Sequence, residues 1–259
     1  MKQQNDVSTV HRRSKILSML DENDQVQVEE LSKLFKVSSV TIRNDLTHLE
    51  NKNLLFRTRG GAIKHRKVAL DLALSAKARK NLEQKQKIGA KAVDLIQEGD
   101  TIILDSGTTT LEIAKRLDKF QELTVITNAL HIGIEVAGIP QINLIMPGGI
   151  CRSKSFSLIG SQTERNLRDF YCDKVFLGVD GFDSTYGITT PSASEAFVNR
   201  VMMEISCESV VVTDASKFGK RSLAFISPLN KIQKVITDSS ISEQDKQNIL
   251  SQNIELVIV

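Results

Sequence analysis

The chain is predicted to be an α/β protein in two parts: a small, mostly helical N-terminal module and a larger domain built on a mainly parallel sheet. Three observations lead there. Apolar residues at helical spacing dominate before residue 54, seven short apolar runs follow residue 100, and the stretch between is rich in Lys and Arg with few large apolar side chains. With 259 residues, 41% hydrophobic and 25% charged, the chain has room for a small domain and a second of about 180 residues with its own core. The expected division is a module over 1–67, a linker over 68–85 and the larger domain over 86–259.

The first helix read from the pattern carries an inward stripe of Val28, Leu31, Leu34 and Phe35. A tight Lys36-Val37-Ser38 turn follows, then a second amphipathic helix in which Ile42, Leu46 and Leu49 fall at i, i+4 and i+7. Those three must face inward, which turns Val40, Asn44 and Thr47 outward, flanked by Ser39, Thr41, Arg43 and His48. Two helices joined by so short a turn form a helix-turn-helix. The outward residues have base-reading chemistry: Asn pairs bidentately with adenine, Arg with guanine or phosphate, and the Val40 and Thr47 methyls suit thymine methyls in a major groove.

After the helix, which Asn51 or Asn53 can end in a left-handed conformation, residues 54–59 read as a strand, Gly60-Gly61 as a turn, and 62–65 as the return strand. This is a basic wing. Arg57, Arg59 and Lys64 supply charge, and Gly60 and Gly61 would let backbone come close to a sugar-phosphate strand. The plainer alternative is a solvated helix and a hairpin without a ligand. Turn, outward polar set and basic wing coincide, however, and together they favour duplex DNA. Charge agrees: residues 1–67 hold 13 basic and 8 acidic side chains, a surplus of five, while the remainder holds 21 against 23.

Residues 65–86 read as a connector, with a basic arm on DNA as the alternative for SAKARKNLEQKQK. A helix is expected from Leu82, with Ile88, Ala92, Leu95 and Ile96 inward, stopping at Glu98-Gly99-Asp100. The runs TIILDS, LTVITNA, INLIMPGG, KVFLGVDG, SVVVTDAS, KVITDSS and IELVIV are mostly apolar on both faces, as strands of a parallel sheet covered on each side must be. Ligands of such sheets sit beyond the carboxyl ends of the strands.

There the chain places small and polar residues. Asp105, Ser106, Gly107, Thr108, Thr109 and Thr110 leave the first strand and open a helix. Free amides at a helix start attract anions, and a glycine with clustered hydroxyls makes a phosphate cradle; an ordinary Ser/Thr cap is the plainer reading, but a cap needs one hydroxyl and here there are four in five residues. Thr127 and Asn128, Gly148 and Gly149 with Arg152, and Asp180, Gly181 and Asp183 end later strands, with Glu195 and Lys217 beyond. Singly these are turns and caps. Together they could line one cleft suited to a hydroxylated anion.

No run approaches the ~20 apolar residues needed to span a bilayer, and the N-terminus has no signal-like apolar run, so a cytoplasmic protein with no membrane partner is expected. Three cysteines without CxxC spacing and four scattered histidines point to reduced thiols and no metal or other cofactor.

Over nearly its full length the sequence resembles the DeoR family of bacterial sugar-metabolism repressors. Val37-Ser38, Thr41-Ile42-Arg43, Asp45-Leu46, Leu49-Glu50 and Arg57 with Gly60-Gly61-Ala62 echo that family's N-terminal signature. The stretch 105–110, Thr127-Asn128, Gly148-Gly149, Asp180-Gly181, Glu195-Ala196 and 214–219 echo its effector domain. Asn44 stands where many members have a second arginine and resembles the branch controlling amino-sugar use, N-acetylgalactosamine repressors among them; Asn53 and Arg59 also depart from the pattern. The resemblance implies a winged helix-turn-helix joined to an effector domain like ribose-5-phosphate isomerase, released from operator DNA by a phosphorylated sugar. It also raises a rival, an isomerase fused to a DNA-binding module. The isomerases carry Lys-Gly-Gly-Gly between their aspartates and glutamate, where this chain has Tyr186-Gly187-Ile188-Thr189-Thr190-Pro191-Ser192, so a pocket without turnover is the expectation. A DNA-binding protein with no ligand would leave the polar strand ends idle. One helix-turn-helix buries little surface on DNA, so a homo-oligomer, dimer or tetramer, is expected; residues 192–206 could serve the interface but suit the core better.

Overall fold

The computed structural model describes residues 9–23, 25–51, 54–58, 60–64 and 73–259. They fall in two compact units, Met1–Arg66 and Lys67–Val259. In the first, α1 (Thr9–Asn23) and β1 (Gln25–Gln27) precede the expected helices α2 (Val28–Phe35) and α3 (Ser39–Asn51), and β2 (Leu55–Arg57) and β3 (Gly61–Lys64) form the wing. Lys36 takes φ +54 and stops α2 with a left-handed residue, and the Ser38 hydroxyl caps α3 by accepting from Thr41 N at 3.1 Å. The core gathers Ile16 and Leu20 of α1 with Val26, Val28, Leu31, Ile42, Leu46, Leu49, Leu55 and Ala62.

Three features depart from the expectation. Leu34, expected inward, is 54% exposed, because α2 needs only Val28 and Leu31 fully buried, with Phe35 alongside, to close this small core. β1 joins the hairpin, in the order β1-β3-β2, so β3 is a central strand. A Cβ on Gly61 would stand 1.9 Å from the Val26 carbonyl oxygen. That glycine is therefore required by the approach of β1, whatever else lies near the wing. Arg59 and Asn53 lie outside the described residues.

Asp45 locks α1 onto α3. It is 2% exposed and accepts from Arg12 Nε at 2.6 Å and Arg13 Nε at 2.7 Å.

In the second unit α4 (Leu74–Arg79) and α5 (Leu82–Val93) lead into β4 (Thr101–Leu104). Then come α6 (Thr108–Ala114), β5 (Leu123–Thr127), α7 (Leu130–Ala137), β6 (Ile142–Ile145), the hairpin β7 (Ile150–Arg152) and β8 (Ser157–Ile159), α8 (Ser161–Leu167), β9 (Cys172–Leu177), β10 (Gly181–Asp183), β11 (Gly187–Thr190), α9 (Ala193–Glu204), β12 (Ser206–Val212), β13 (Ala224–Ser227), β14 (Lys234–Thr237), α10 (Glu243–Leu250) and β15 (Glu255–Ile258). The seven expected runs are the seven strands of one sheet, in the order β15-β14-β12-β9-β4-β5-β6 and with parallel pairing throughout.

Side chains alternate between faces as the strand period demands. Ile102, Leu104, Val125, Phe176, Val210 and Val212 pack with α5–α7, while Ile103, Ile126, Val175 and Leu177 pack with α8 and α9. Phe197 of α9, read with the core, is instead 49% exposed with the Arg200 guanidinium 4.7 Å over its ring. Residues 74–85, read as linker, are α4 and the start of α5 and belong to this unit. Among the described residues no helix is long and apolar enough to cross a membrane.

The chain leaves β4 toward β5 on one side, and β9 adjoins β4 on the other, so the strand order reverses between β4 and β9. Asp105 spans that reversal. Its carboxylate accepts from Gly107 N at 2.9 Å, Gly178 N at 3.0 Å and the Thr110 hydroxyl at 2.9 Å. Burial nonetheless pushes its pKa from 3.8 up to about 7, the three donors opposing that rise.

Two outcomes are expected. Asp45→Ala, by leaving Arg12 (5% exposed) without its carboxylate, should destabilise the N-terminal unit by about 3 kcal/mol, read as a lower denaturant midpoint for that unit. For Asp105 the folded pKa lies above the unfolded one, so its contribution is most favourable below the unfolded value and is lost as pH rises through the folded value. The interval from 3.8 to about 7 corresponds to about 4 kcal/mol. Wild-type stability should fall relative to Asp105→Asn between those pH values in urea melts; parallel curves would show that burial does not govern this carboxyl.

Candidate functional site

On the N-terminal unit the outward side of α3 carries the expected set. Val40 is 60% exposed, Arg43 and Asn44 are exposed, and Ser39, Thr41, Thr47 and His48 are half-buried. Ile42, Leu46 and Leu49 are buried beneath them. Part of this face is tied to the wing: Arg57 Nη1 donates to Thr47 Oγ1 at 2.9 Å, Thr47 Oγ1 donates to the Arg43 carbonyl at 2.9 Å, and Arg57 N donates to Glu50 Oε1 at 3.0 Å. Gly60 is exposed at the tip, where its carbonyl accepts from Val28 N at 2.8 Å; Lys64 is in β3. A helix face and a strand arginine are thus held in one register, and they present donors, acceptors and methyl groups together. That is the chemistry a base-pair edge demands.

In the second unit a cavity of about 100 Å³ opens at the carboxyl ends of β4, β9 and β12, beside the strand reversal. Of the residues named at the strand ends, Asp105, Ser106, Gly107, Thr108, Thr109, Asp180, Glu195 and Lys217 line it. By helix geometry the first-turn amides of α6, those of Thr108, Thr109 and Thr110, have no acceptor within the helix. Gly107 is needed for space: a Cβ there would stand 2.9 Å from Asp105 Oδ1 and 3.4 Å from the Gly178 Cα. The floor at β12 adds Thr213 and Asp214.

Other expected residues take supporting places outside the cavity lining. Thr110 is buried and bonds to Asp105. Thr127 donates to the Leu104 carbonyl at 2.7 Å and accepts from Ala129 N, bracing β5 on β4. Asn128 donates to the Leu158 carbonyl at 3.0 Å, so it holds β8. Gly148 and Gly149, at φ +71 and +124, let the chain turn tightly; a Cβ on Gly149 would lie 1.9 Å from Thr163 Oγ1. Gly181 pairs with Thr189 in the β10-β11 hairpin. Asp183 accepts from Arg221 Nε at 2.7 Å and from Thr185 N and Tyr186 N, closing the turn into β11. Arg152, read with Gly148 and Gly149 as part of the cleft, lies 3.6 Å from Glu195 Oε2. Glu195 also accepts from Ser155 at 2.5 Å and Ser157 at 2.8 Å, which anchors α9 to the β7-β8 hairpin.

The positive charge comes largely from residues that sequence reasoning did not place here. Lys77, Lys80, Lys85 and Lys154 join Lys217 around the cavity, five lysines against the carboxyls of Asp105, Asp180, Glu195 and Asp214. Lys77 Nζ and Lys217 Nζ lie 2.8 Å and 3.3 Å from the Asp180 carboxylate. The signal was present, since SAKARKNLEQKQK is conspicuously basic. What spacing did not reveal is that α4 folds back over the strand ends.

Two family models match. Residues 12–67 match the DeoR-like helix-turn-helix domain and residues 80–239 the DeoR C terminal sensor domain. The putative aga operon transcriptional repressor of Escherichia coli O157:H7 is 36% identical over 253 residues, covering 97% of this chain and 94% of that protein. Transcriptional repressor AccR of Agrobacterium fabrum is 36% identical over 233 residues, 90% of each chain, and HTH-type transcriptional regulator GlpR of Haloferax volcanii is 32% identical over 246 residues, 95% of this chain and 96% of its own. Among solved structures, ribose 5-phosphate isomerase A from Methanocaldococcus jannaschii aligns with 19% identity and a TM-score of 0.42 over 54% of this chain and 56% of its own, a likeness too slight to bear on the chemistry. With a DNA-binding and a sensor model matched in order and full-length relatives aligned across nearly all of it, this chain belongs to the DeoR family of helix-turn-helix transcriptional regulators.

Proposed function

We propose that the protein represses a carbohydrate-utilisation operon by binding operator DNA, and that a phosphorylated sugar in the sensor cavity releases it. The observation that carries this reading is the coincidence, in one cavity at a strand reversal, of the Thr108 and Thr109 amides and the hydroxyls of Ser106, Thr108 and Thr109 with five lysines. A phosphate needs both: N–H and O–H donors for its oxygens and cations for its charge. Thr108 and Thr109 would hold the phosphate, Lys217 would neutralise it, and Asp180 and Glu195, which line the same cavity, would meet sugar hydroxyls. On the DNA side Thr41, Arg43, Asn44 and Thr47 would read bases or phosphates, while Arg57, Gly60, Gly61 and Lys64 position the wing. Two copies related by two-fold symmetry would read two half-sites. The effector can weaken DNA binding only by favouring the state that binds DNA poorly.

The cavity's carboxylates and Lys217 also suit proton transfer, so the deciding experiment measures both outcomes. Protein and operator DNA are incubated with a panel of phosphosugars, and DNA release and sugar conversion are followed together. Release without conversion is expected, and Thr109→Asp, which sets a carboxylate where the phosphate would sit, should abolish it; release that survives this substitution would misplace the phosphate site. Steady conversion lost in Glu195→Gln would instead establish an enzyme. Arg43→Ala should weaken operator binding about 5- to 150-fold, since one bidentate base contact is worth about 1–3 kcal/mol, in a titration at fixed salt.

A further inference from the structure

Helix α4 has no fully buried residue, so burial of apolar surface contributes little to its place. Polar contacts around the cavity hold it. Leu74 N donates to the Lys154 carbonyl at 3.0 Å, and Lys77 Nζ donates to Asp180 at 2.8 Å. Asn81, with φ +53 between α4 and α5, donates to Asp214 at 2.7 Å and to Ser216 Oγ at 3.3 Å. The central piece is Lys85, which is 4% exposed and lines the cavity. Its ammonium donates to the carbonyls of Lys77 and Lys80 at 2.5 and 2.6 Å and so caps the carboxyl end of α4.

An ammonium has three donors, and the third has no hydrogen-bond acceptor among the described residues. Burial, opposed by Asp214 and reinforced by Lys217, Lys77 and Lys80, draws the Lys85 pKa below its ordinary value. A buried cation with a donor to spare, set among other cations, is matched by an anion that accepts from it and offsets its charge.

We propose, on the reading of this cavity as a phosphate site, that α4 is its ligand-ordered lid. A phosphate on residues 106–109 also accepts from Lys85 and competes with Asp180 for Lys77, so its binding tightens α4. Lys77 and Lys85 are then effector-binding residues. Occupancy is registered in the segment whose chain continues backward through residues 65–72 to the DNA-binding unit. A six-residue helix is marginal by itself, and such low-stability elements are the ones a ligand can order.

Hydrogen exchange on the full-length protein tests this, with inorganic phosphate as the probe. At a phosphate concentration about four times its measured Kd, amides that open only in the free protein should exchange about fivefold more slowly. The expected slowing covers residues 76–81 as well as 106–110. In Lys77→Met the slowing at 76–81 should disappear, while 106–110 is still protected at a correspondingly higher phosphate concentration. Lys77 is 22% exposed against 4% for Lys85, so this variant carries the comparison; Lys85→Met, checked for folding by circular dichroism, should lose both. Slowing at 106–110 with α4 unchanged would overturn the lid and leave the phosphate site standing. No slowing anywhere, with no binding heat, would remove the phosphate site and the lid with it.

Discussion

Where β4 and β9 lie side by side the chain departs from them in opposite directions, so the loops beyond the two strands diverge and the gap between the strand ends has to be bridged by a side chain. Asp105 meets that constraint. By accepting from Gly107 N, Gly178 N and Thr110 it joins the two strand ends and sets the shape of the loop that opens α6. A Cβ on Gly107 would crowd Asp105 Oδ1 at 2.9 Å and Thr110 Oγ1 at 3.1 Å, so a side chain there would disturb the bonds that shape this loop. A cavity at this point is a consequence of sheet topology. Its chemistry then depends on what neighbouring elements lay over it: hydroxyls from α6, carboxyls from β9, α9 and β12, and lysines from α4 and α5.

The N-terminal unit answers a comparable problem differently. A three-helix core with a thin sheet buries few side chains, and the buried Asp45 with its two arginines supplies an additional tie between α1 and α3. A buried ion pair stabilises little in net terms, but it is unforgiving of rearrangement, because each partner left alone is costly. The angle at which α3 presents its outer face is specified accordingly. The Arg57–Thr47 bond extends that specification to the wing, so helix and hairpin present their groups as one surface.

Legibility in the sequence followed the range of the interactions involved. Amphipathic helices α2 and α3, the hairpin and all seven strands of the large sheet were readable, because each is written in a period of 3.6 or in a short two-faced apolar run. Leu34 and Phe197 fit the same periods and are nevertheless exposed, since a period gives a face and not how wide a stripe the neighbours cover. Asp45 was legible as part of the N-terminal signature but not as a buried carboxylate; its burial depends on Arg12 and Arg13, more than thirty residues earlier. Residues 74–85 looked like a solvated connector because charge at that density usually is. Their acceptors, Asp180 and Asp214, come from strand ends more than a hundred residues away.

By itself, then, the sequence determined the two-part architecture, the outward chemistry of the α3 face and the hydroxyl-rich loop at residues 105–110, for all of these arise from neighbours within a few turns or one strand. Only the tertiary structure decided which strand-end residues share a cavity, that Arg152 faces Glu195, that Gly61 answers to β1, and that α4 and α5 bring Lys77 and Lys85 to the same place. The physical reason is common to them all. A buried charge or an absent Cβ takes its meaning from its partner, and those partners are chosen by sheet order and chain reversal, which no local pattern records.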